Sequence, residues 1–382
     1  MFRDQLNRFY HLDEIDFEDY MKWIDMALAY RHNPIDVFEG RCAQLVDVMI
    51  DPQTGEPTKG LGGVANPKPD FTLWDRYIDR MLAGGANTIH LGQTHHHGAA
   101  FTTADAPAAS ENHLEQLKTN LRVLTEHYKR RGVFDLHYLQ LRDETSAPES
   151  LNVYRAIRAE MPELKLLLTA PSGEARPILN LPVPLTPGFD ASWRDEVKQD
   201  GGEYWWYVCV HPHDPYANLF LFQEATQHRA LYWQTWSHEI DGLLYWGMNF
   251  WRWYGHEWGP DETGPTTRIP LAGAPHFCPL PDAPGDGFSM YPGPTPSQPL
   301  SSVRLEIMRD GAEDYEYFLM LDRLIERAQQ GVRHRDVVGQ AVAARDEAKK
   351  LVASLTEYER RPQPYLELRQ RIAGLIEQLM EE

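Results

Sequence analysis

Two acidic residues, Asp143 and Glu144, stand side by side directly after the apolar run FDLHYLQL at residues 134–141. Two carboxylates held close together cannot both ionise cheaply, so the pKa of one rises and that group can donate a proton near neutral pH. The other carboxylate stays charged and can stabilise a developing cation. A proton donor beside an anionic stabiliser is the pair of catalytic groups that enzymes use to break glycosidic bonds. Taken alone, the pair also fits a helix N-cap or a loop salt bridge to Arg142.

Aromatic side chains are a second group with possible chemistry. The chain has 11 Trp and 18 Tyr, and they are concentrated between Tyr204 and Trp258. Aromatic rings pack in protein cores, and their flat faces also stack on the C–H faces of sugars. Any single ring fits either role, and it is the density of rings that favours a sugar site.

Histidines form two clusters, HHH at residues 95–97 and HPH at residues 211–213. Such clusters bind zinc well, so a metal hydrolase is one interpretation. The sequence lacks the His-x-His that barrel metal hydrolases carry after a first strand. We therefore predict no metal and no cofactor, and we expect His95 and His211 to contact substrate hydroxyls or to cap loops.

The hydrophobic pattern predicts the scaffold that must position these side chains. Strand-like runs alternate with helical patterns up to residue 249, which is typical of an α/β domain with a parallel sheet, and this length suits a (β/α)8 TIM-type barrel. The first strand is missing or reduced. The predicted strands are NPIDVF, NTIHL, FDLHYLQL, LKLLLT, ILNLPVPL, EYWWYVCV and GLLYWGMN.

Past residue 300 the pattern is helical only, at residues 302–330, 336–356 and 364–381. The sequence thus predicts a catalytic barrel over residues 1–300 and a helical segment packed on it over residues 301–382. In such barrels the residues just past the carboxyl ends of the strands form the active face. Successive strand residues point to opposite faces, so Asp143 and Glu144 reach one pocket only if the chain turns there.

Composition narrows the class of partner. The 382 residues carry a net charge of −19, which disfavours binding to nucleic acid or to an anionic membrane surface. No apolar stretch is long enough to span a bilayer, and the start MFRDQLNRFYHLDE lacks the apolar region of a signal peptide. The expected location is cytoplasmic, or secreted or periplasmic if the chain is a fragment. The oligomeric state is left open.

A series of motifs between residues 200 and 320 resembles the catalytic domain of glycoside hydrolase family 123, the bacterial β-N-acetylgalactosaminidases. The matching pieces occur in one order and are far more specific together than singly. They are WYVC at 206–209, Arg229, GLLYW at 242–246, Asn249, Trp251, DG at 286–287, YPG at 291–293, SVRLE at 302–306 and RDG at 309–311. The acidic pair extends the match upstream.

The resemblance implies a (β/α)8 barrel with substrate-assisted chemistry on β-linked N-acetylgalactosamine. Asp143 would hold the acetamido N–H and stabilise positive charge, and Glu144 would transfer protons. The acetamido group also needs a hydroxyl donor and aromatic walls, for which Tyr245 and Trp246 are the first candidates, with Asn249 and Asp286 as contacts to sugar hydroxyls. The full set of expected binding residues is His95, Trp206, Tyr207, His211, Tyr245, Trp246, Asn249, Trp251, Asp286 and Tyr291.

Three alternatives stay open on the sequence. The chain is a carbohydrate-binding barrel without turnover, a glycosidase of the same architecture with another sugar specificity, or a metal hydrolase that uses its histidine clusters. Within the motif SSVRLEIMRDGAEDYEYF we expect a structural ion-pair network of Arg304, Glu306, Arg309 and Asp310.

Overall fold

The structure, a computed structural model, describes residues 3–35, 71–91, 107–144, 147–251, 283–331 and 335–381. Within these ranges the chain alternates short parallel strands with helices and ends in three long helices. The strands are β1 Ile89–His90, β2 His137–Gln140, β3 Leu166–Thr169, β4 Leu181–Val183, β5 Trp205–Val208 and β6 Gly242–Tyr245. The helices are α1 Arg3–Phe9, α2 Phe17–Ala29, α3 Thr72–Ala83, α4 Pro107–Arg131, α5 Pro148–Glu160, α6 Ala191–Gln199, α7 Ala225–Ser237, α8 Val303–Gly331, α9 Arg335–Leu351 and α10 Pro362–Met380.

All strand pairs in the described part of the chain are parallel, and neighbours in sequence are neighbours in space. Strands β1 to β4 form one hydrogen-bonded sheet, β5 and β6 form a second, and a parallel bridge between Leu185 and Tyr207 connects them. The predicted parallel α/β architecture is therefore confirmed. A complete eight-stranded barrel is not: six strands are described, and of the predicted strand at 33–38 only residues 33–35 are described, without strand structure.

The sheet is strongly curved. Strands β2 and β5 are three positions apart, or about 14 Å in a flat sheet, yet the rings of Tyr138 on β2 and Trp205 on β5 meet with centroids 5.3 Å apart. Alternate residues of the strands share this inner face, where Ile35 also packs. The buried residues of the inner face are Tyr138, Leu167, Leu181, Val183, Trp205 and Tyr207.

Local capping chemistry sets where two of the helices start. The Asp16 carboxylate caps α2, since it accepts the backbone N–H of Glu18 at 2.8 Å. Helix α4 begins at Pro107, because proline suits a first turn whose N–H groups have no helical partner.

The three C-terminal helices pack against α7 through a core of their own. Trp236 of α7 stacks on Phe318 of α8 with ring centroids 4.1 Å apart. Beside this core Asp314 is 1% exposed and joins three helices, because it accepts hydrogen bonds from Arg229 and Trp233 of α7 and from Arg369 of α10. The domain boundary at residue 300 stays a prediction.

The ion-pair network expected in the SVRLE–RDG motif forms only in part. Arg309 pairs with Glu306 at 3.0 Å and with Asp310 at 3.5 Å. Arg304 instead donates to backbone carbonyl oxygens, those of Leu219 at 2.6 Å and Gly285 at 2.7 Å. None of the helices in the described ranges is both long and apolar enough to cross a membrane.

Candidate active site

The chain turns sharply where the acidic pair follows β2. Glu144 has φ of +41°, the left-handed region that residues with a side chain seldom occupy. Thr169, the last residue of β3, fixes both acids: its hydroxyl donates to Asp143 Oδ1 at 2.6 Å and accepts the backbone N–H of Glu144 at 2.9 Å. The turn brings both acids to one cavity although they are adjacent in sequence.

Asp143 is the more enclosed of the two acids. Its Oδ1 also accepts a hydrogen bond from the Gln140 amide at 3.4 Å. Burial raises the pKa of Asp143, and the nearby charge of Glu144 raises it further, whereas the hydrogen bonds from Thr169 and Gln140 act in the opposite direction. The sequence predicts that the acid with the raised pKa donates the proton, a role that the family resemblance gives to Glu144. In the structure the raised pKa belongs to Asp143 instead, because Asp143 is the more enclosed acid, and this corrects the expectation.

Glu144 is exposed to the cavity and is held by a residue from across the sheet. The Tyr207 hydroxyl, on β5, donates a short hydrogen bond to Glu144 Oε1. Burial and the adjacent carboxylate hold the pKa of Tyr207 well above its ordinary range, so the phenol remains a donor throughout the working pH range. Tyr207 thus fixes the direction in which Glu144 presents its second carboxylate oxygen.

Replacing Tyr207 with phenylalanine is expected to lower kcat about 10- to 100-fold, because the loss of one hydrogen bond to a charged group is worth about 1.5–3 kcal/mol. Steady-state kinetics measure the change in kcat.

A matched control for Tyr207→Phe is Tyr204→Phe. Tyr204 is fully buried just before the same strand, and its hydroxyl accepts the backbone N–H of Asp190 at 3.4 Å. An unchanged kcat in Tyr207→Phe, or an equal loss of kcat in both variants, would contradict a positioning role for Tyr207.

A second wall of the cavity is built around Asp286. The indole N–H of Trp246 donates to Asp286 Oδ2 at 2.8 Å. The Tyr245 hydroxyl accepts the backbone N–H of Gly287 at 2.7 Å and donates to the Gly285 carbonyl oxygen at 3.3 Å. Burial raises the pKa of Asp286 to about 7, although the Trp246 and Tyr245 groups favour its charged form.

Two glycines allow the Asp286 loop to approach its neighbours. Gly285 and Gly287 both have positive φ, at +91° and +76°. A Cβ on Gly287 would lie 2.3 Å from the Trp246 ring, and one on Gly285 would lie 2.6 Å from the side chain of Leu221. Glycine at both positions is therefore a steric requirement of this wall.

The acids and the second wall face one cavity of about 1090 Å³, at the upper end of the sizes found for ligand sites. Glu144 and Trp246 lie past the carboxyl ends of β2 and β6, while Thr88 and Asp241 lie before the amino ends of β1 and β6, and all four line it. The cavity thus runs the full length of β6.

Cys209 also lines this cavity. Burial raises the pKa of its thiol to about 12. Since the thiolate is the reactive form of cysteine, this side chain remains a protonated, weakly nucleophilic thiol at neutral pH.

The structure brings together six of the residues expected from the sequence. Those that line the cavity are Asp143, Glu144, Tyr207, Tyr245, Trp246 and Asp286. Sequence reasoning missed Thr169, Gln140 and Tyr138, which line it too. A polar residue that ends a strand of leucines, as Thr169 does, was the available signal.

Other expected binding residues lie elsewhere. Trp206 is fully buried behind the sheet and donates to Thr235, because it points to the face opposite Tyr207. Trp251 is fully buried against Trp23 and donates to the Met290 carbonyl oxygen.

Three more of the expected residues are absent from the cavity lining: Asn249 and Tyr291, each in a β-bridge, and the exposed His211. His95 lies outside the described residues, as does the whole HHH cluster. In the described part of the chain no three His, Cys, Asp or Glu side chains converge as metal ligands would.

Comparison with known protein families gives a match over much of the chain. Residues 57–321 match the family model described as glycoside hydrolase 123, catalytic domain. The match begins well upstream of residue 200, so it includes the acidic pair and most of the strands. None of the curated proteins matches the chain.

Proposed function

The chain belongs to glycoside hydrolase family 123, and from this premise we propose that it removes β-linked N-acetylgalactosamine from glycans with retention of configuration. The sugar's own 2-acetamido group serves as the nucleophile. The observation that carries the proposal is the turn at Glu144, which directs two adjacent carboxylates with different surroundings into one cavity.

In the first step the acetamido carbonyl oxygen attacks the anomeric carbon while the glycosidic C–O bond breaks. Glu144 transfers its proton to the departing oxygen, and the sugar becomes a cyclic oxazolinium ion. Asp143 accepts a hydrogen bond from the acetamido N–H and stabilises the positive charge that develops there.

In the second step a water molecule attacks the anomeric carbon from the side that the leaving group vacated. The Glu144 carboxylate takes a proton from this water, and the C–O bond to the acetamido oxygen breaks, which restores the amide. Two inversions give net retention, and Glu144 ends protonated and ready for another cycle.

The surroundings of the two acids support this division of roles. A proton shuttle must exchange with water and reach the leaving group, and Glu144 is the exposed member of the pair. Asp143 is partly buried and held by Thr169 and Gln140, as a fixed charge stabiliser requires. Its raised pKa predicts that activity falls on the acid side as Asp143 becomes protonated.

A panel of 4-nitrophenyl β-glycosides tests the proposal. The N-acetylgalactosaminide should be cleaved, and the galactoside without the acetamido group should react at least about 10⁵-fold more slowly, because a well-placed internal nucleophile has an effective molarity on that order. A thiazoline derived from N-acetylgalactosamine, which mimics the bicyclic intermediate, should inhibit. Equal cleavage of both glycosides, or no effect of the thiazoline, would refute substrate assistance.

A further inference from the structure

We propose that Asp286 is the specificity-determining residue of this site, and that its Oδ1 accepts a hydrogen bond from a hydroxyl group of the terminal sugar. The inference rests on the proposed function and deepens it, since it names the chemical group of the substrate that the second wall recognises.

The first observation is an unsatisfied buried acceptor. Asp286 is 1% exposed. Its Oδ2 accepts the Trp246 indole N–H, whereas Oδ1 has no hydrogen-bond partner among the described residues. The Tyr245 hydroxyl lies close to the carboxylate, but its proton is directed to the Gly285 carbonyl oxygen. Leaving a buried polar group without a partner costs about 1–3 kcal/mol, so such an atom on a cavity wall indicates a partner that arrives with the ligand.

The second observation is that Asp286 has no ion pair among the described residues, although the cation Arg304 is near enough to influence its pKa. Arg304 donates to the carbonyl oxygens of Leu219, Gly285 and Phe288, and the last two flank Asp286 on the chain. The guanidinium therefore holds the backbone on both sides of Asp286 and leaves the carboxylate to the cavity.

The third observation concerns the kind of ligand group that fits. The ring of Trp246 lies against Gly287 and lines the cavity beside the carboxylate, which pairs a flat apolar surface with a hydrogen-bond acceptor. A sugar offers the complementary pair, a C–H face and a hydroxyl donor. Because Glu144 must reach the oxygen on the anomeric carbon from another wall, the hydroxyl at Asp286 belongs to carbon 3, 4 or 6.

The charge state of Asp286 supports this assignment and supplies a readout. The groups that face it are Tyr245 at the end of β6, Trp246 directly after it, Cys209 after β5 and Arg304 from α8. Burial raises the pKa of Asp286 to about 7. A hydroxyl donated to the carboxylate favours its charged form, so sugar binding near pH 6 should release a proton.

The experiment measures binding of methyl β-N-acetylgalactosaminide and its 3-, 4- and 6-deoxy analogues by calorimetry, in the Glu144→Gln background to prevent hydrolysis. Adding Asp286→Asn should weaken binding of the parent sugar about 10- to 100-fold, the range for a hydrogen bond to a charged group. One deoxy analogue should bind equally weakly whether residue 286 is Asp or Asn.

Proton release is measured at pH 6 in buffers of different ionisation enthalpy. The apparent binding enthalpy should depend on the buffer when Asp286 is present, and this dependence should vanish in Asp286→Asn. Asp195→Asn, which changes an exposed carboxylate on α6 in the same way, should behave like the unmodified background.

Thermal unfolding shows whether Asp286→Asn folds. A carboxyl whose pKa is raised on folding destabilises the folded state above that pKa, and this penalty fades as the pH falls towards its unfolded value. The variant should therefore gain more in Tm at pH 8 than at pH 5.

Three results would overturn the inference. Asp286→Asn could weaken the binding of the parent sugar and of all three deoxy analogues equally, or it could leave the affinity for the parent sugar unchanged. The third result is that none of the four ligands binds to the protein. Failure of the proposed function is distinguishable. If the unmodified protein cleaves no N-acetylgalactosaminide but shows the deoxy pattern, the hydrolase proposal fails while Asp286 keeps its role.

Discussion

Replacing Glu144 with glutamine is expected to lower kcat for 4-nitrophenyl β-N-acetylgalactosaminide by about 100- to 10,000-fold, the usual contribution of a positioned general acid–base group. Glutamine preserves the shape of the side chain and can still accept the Tyr207 hydroxyl, but its amide cannot transfer a proton. Sugar affinity should therefore change little. Steady-state kinetics and calorimetric binding of the methyl glycoside measure the two quantities separately.

Glu163→Gln is the matched control for this experiment, since Glu163 is an exposed carboxylate that pairs with Lys129 outside the cavity. Its kcat should equal that of the unmodified protein. A protein that binds sugar and shows no turnover even before substitution would be a carbohydrate-binding barrel. A Glu144→Gln variant with full activity that is lost on adding a chelator would support metal chemistry instead.

Replacing Asp314 with alanine is expected to lower the free energy of unfolding by about 3–5 kcal/mol, because it removes the carboxylate that pairs with the largely buried Arg229. Here Asp314 accepts from Arg229 at 2.6 Å, from Trp233 at 2.7 Å and from Arg369 at 2.6 Å. Urea unfolding followed by circular dichroism gives the change directly.

Asp310→Ala is the comparison for Asp314→Ala, since Asp310 lies on the same helix but its side chain is 44% exposed and pairs with Arg309 at 3.5 Å. Its effect should be below about 1 kcal/mol, as for surface ion pairs. A small effect in both variants would show that the contact between α7, α8 and α10 depends on apolar packing rather than on Asp314.

The sequence was sufficient for the class of fold. Short apolar strands between amphipathic helices predict parallel pairing, and the described strands pair in that way, including β4 with Pro182 in its centre. It was insufficient for closure of the barrel. Closure depends on strands that must meet across the molecule, and no local pattern reports whether two distant edges come together.

Within the site, the sequence shows that successive side chains of a strand alternate between two faces, but it does not show which face points to the cavity. Trp206 and Tyr207 were both expected at the substrate, and since neighbours point to opposite faces, only Tyr207 reaches the cavity. The contact of Thr169 with the acidic pair was not readable either, because it joins residues that are 26 positions apart.

For Asp143 and Glu144, too, the sequence predicts one property and not another. Its sequence indicates that two adjacent carboxylates compete for one proton. It does not indicate which of them is enclosed, because that depends on Gln140 and Thr169, which reach Asp143 from β2 and β3.

Because the backbone at Glu144 is left-handed, stability and catalytic activity favour different residues at this position. A residue with a side chain is higher in conformational energy there than glycine by roughly 1–2 kcal/mol. This position nonetheless holds a carboxylate. Selection of a mutant library for thermal stability alone should therefore enrich glycine at position 144 and yield variants that are more stable but inactive. A screen that also requires product formation should retain glutamate.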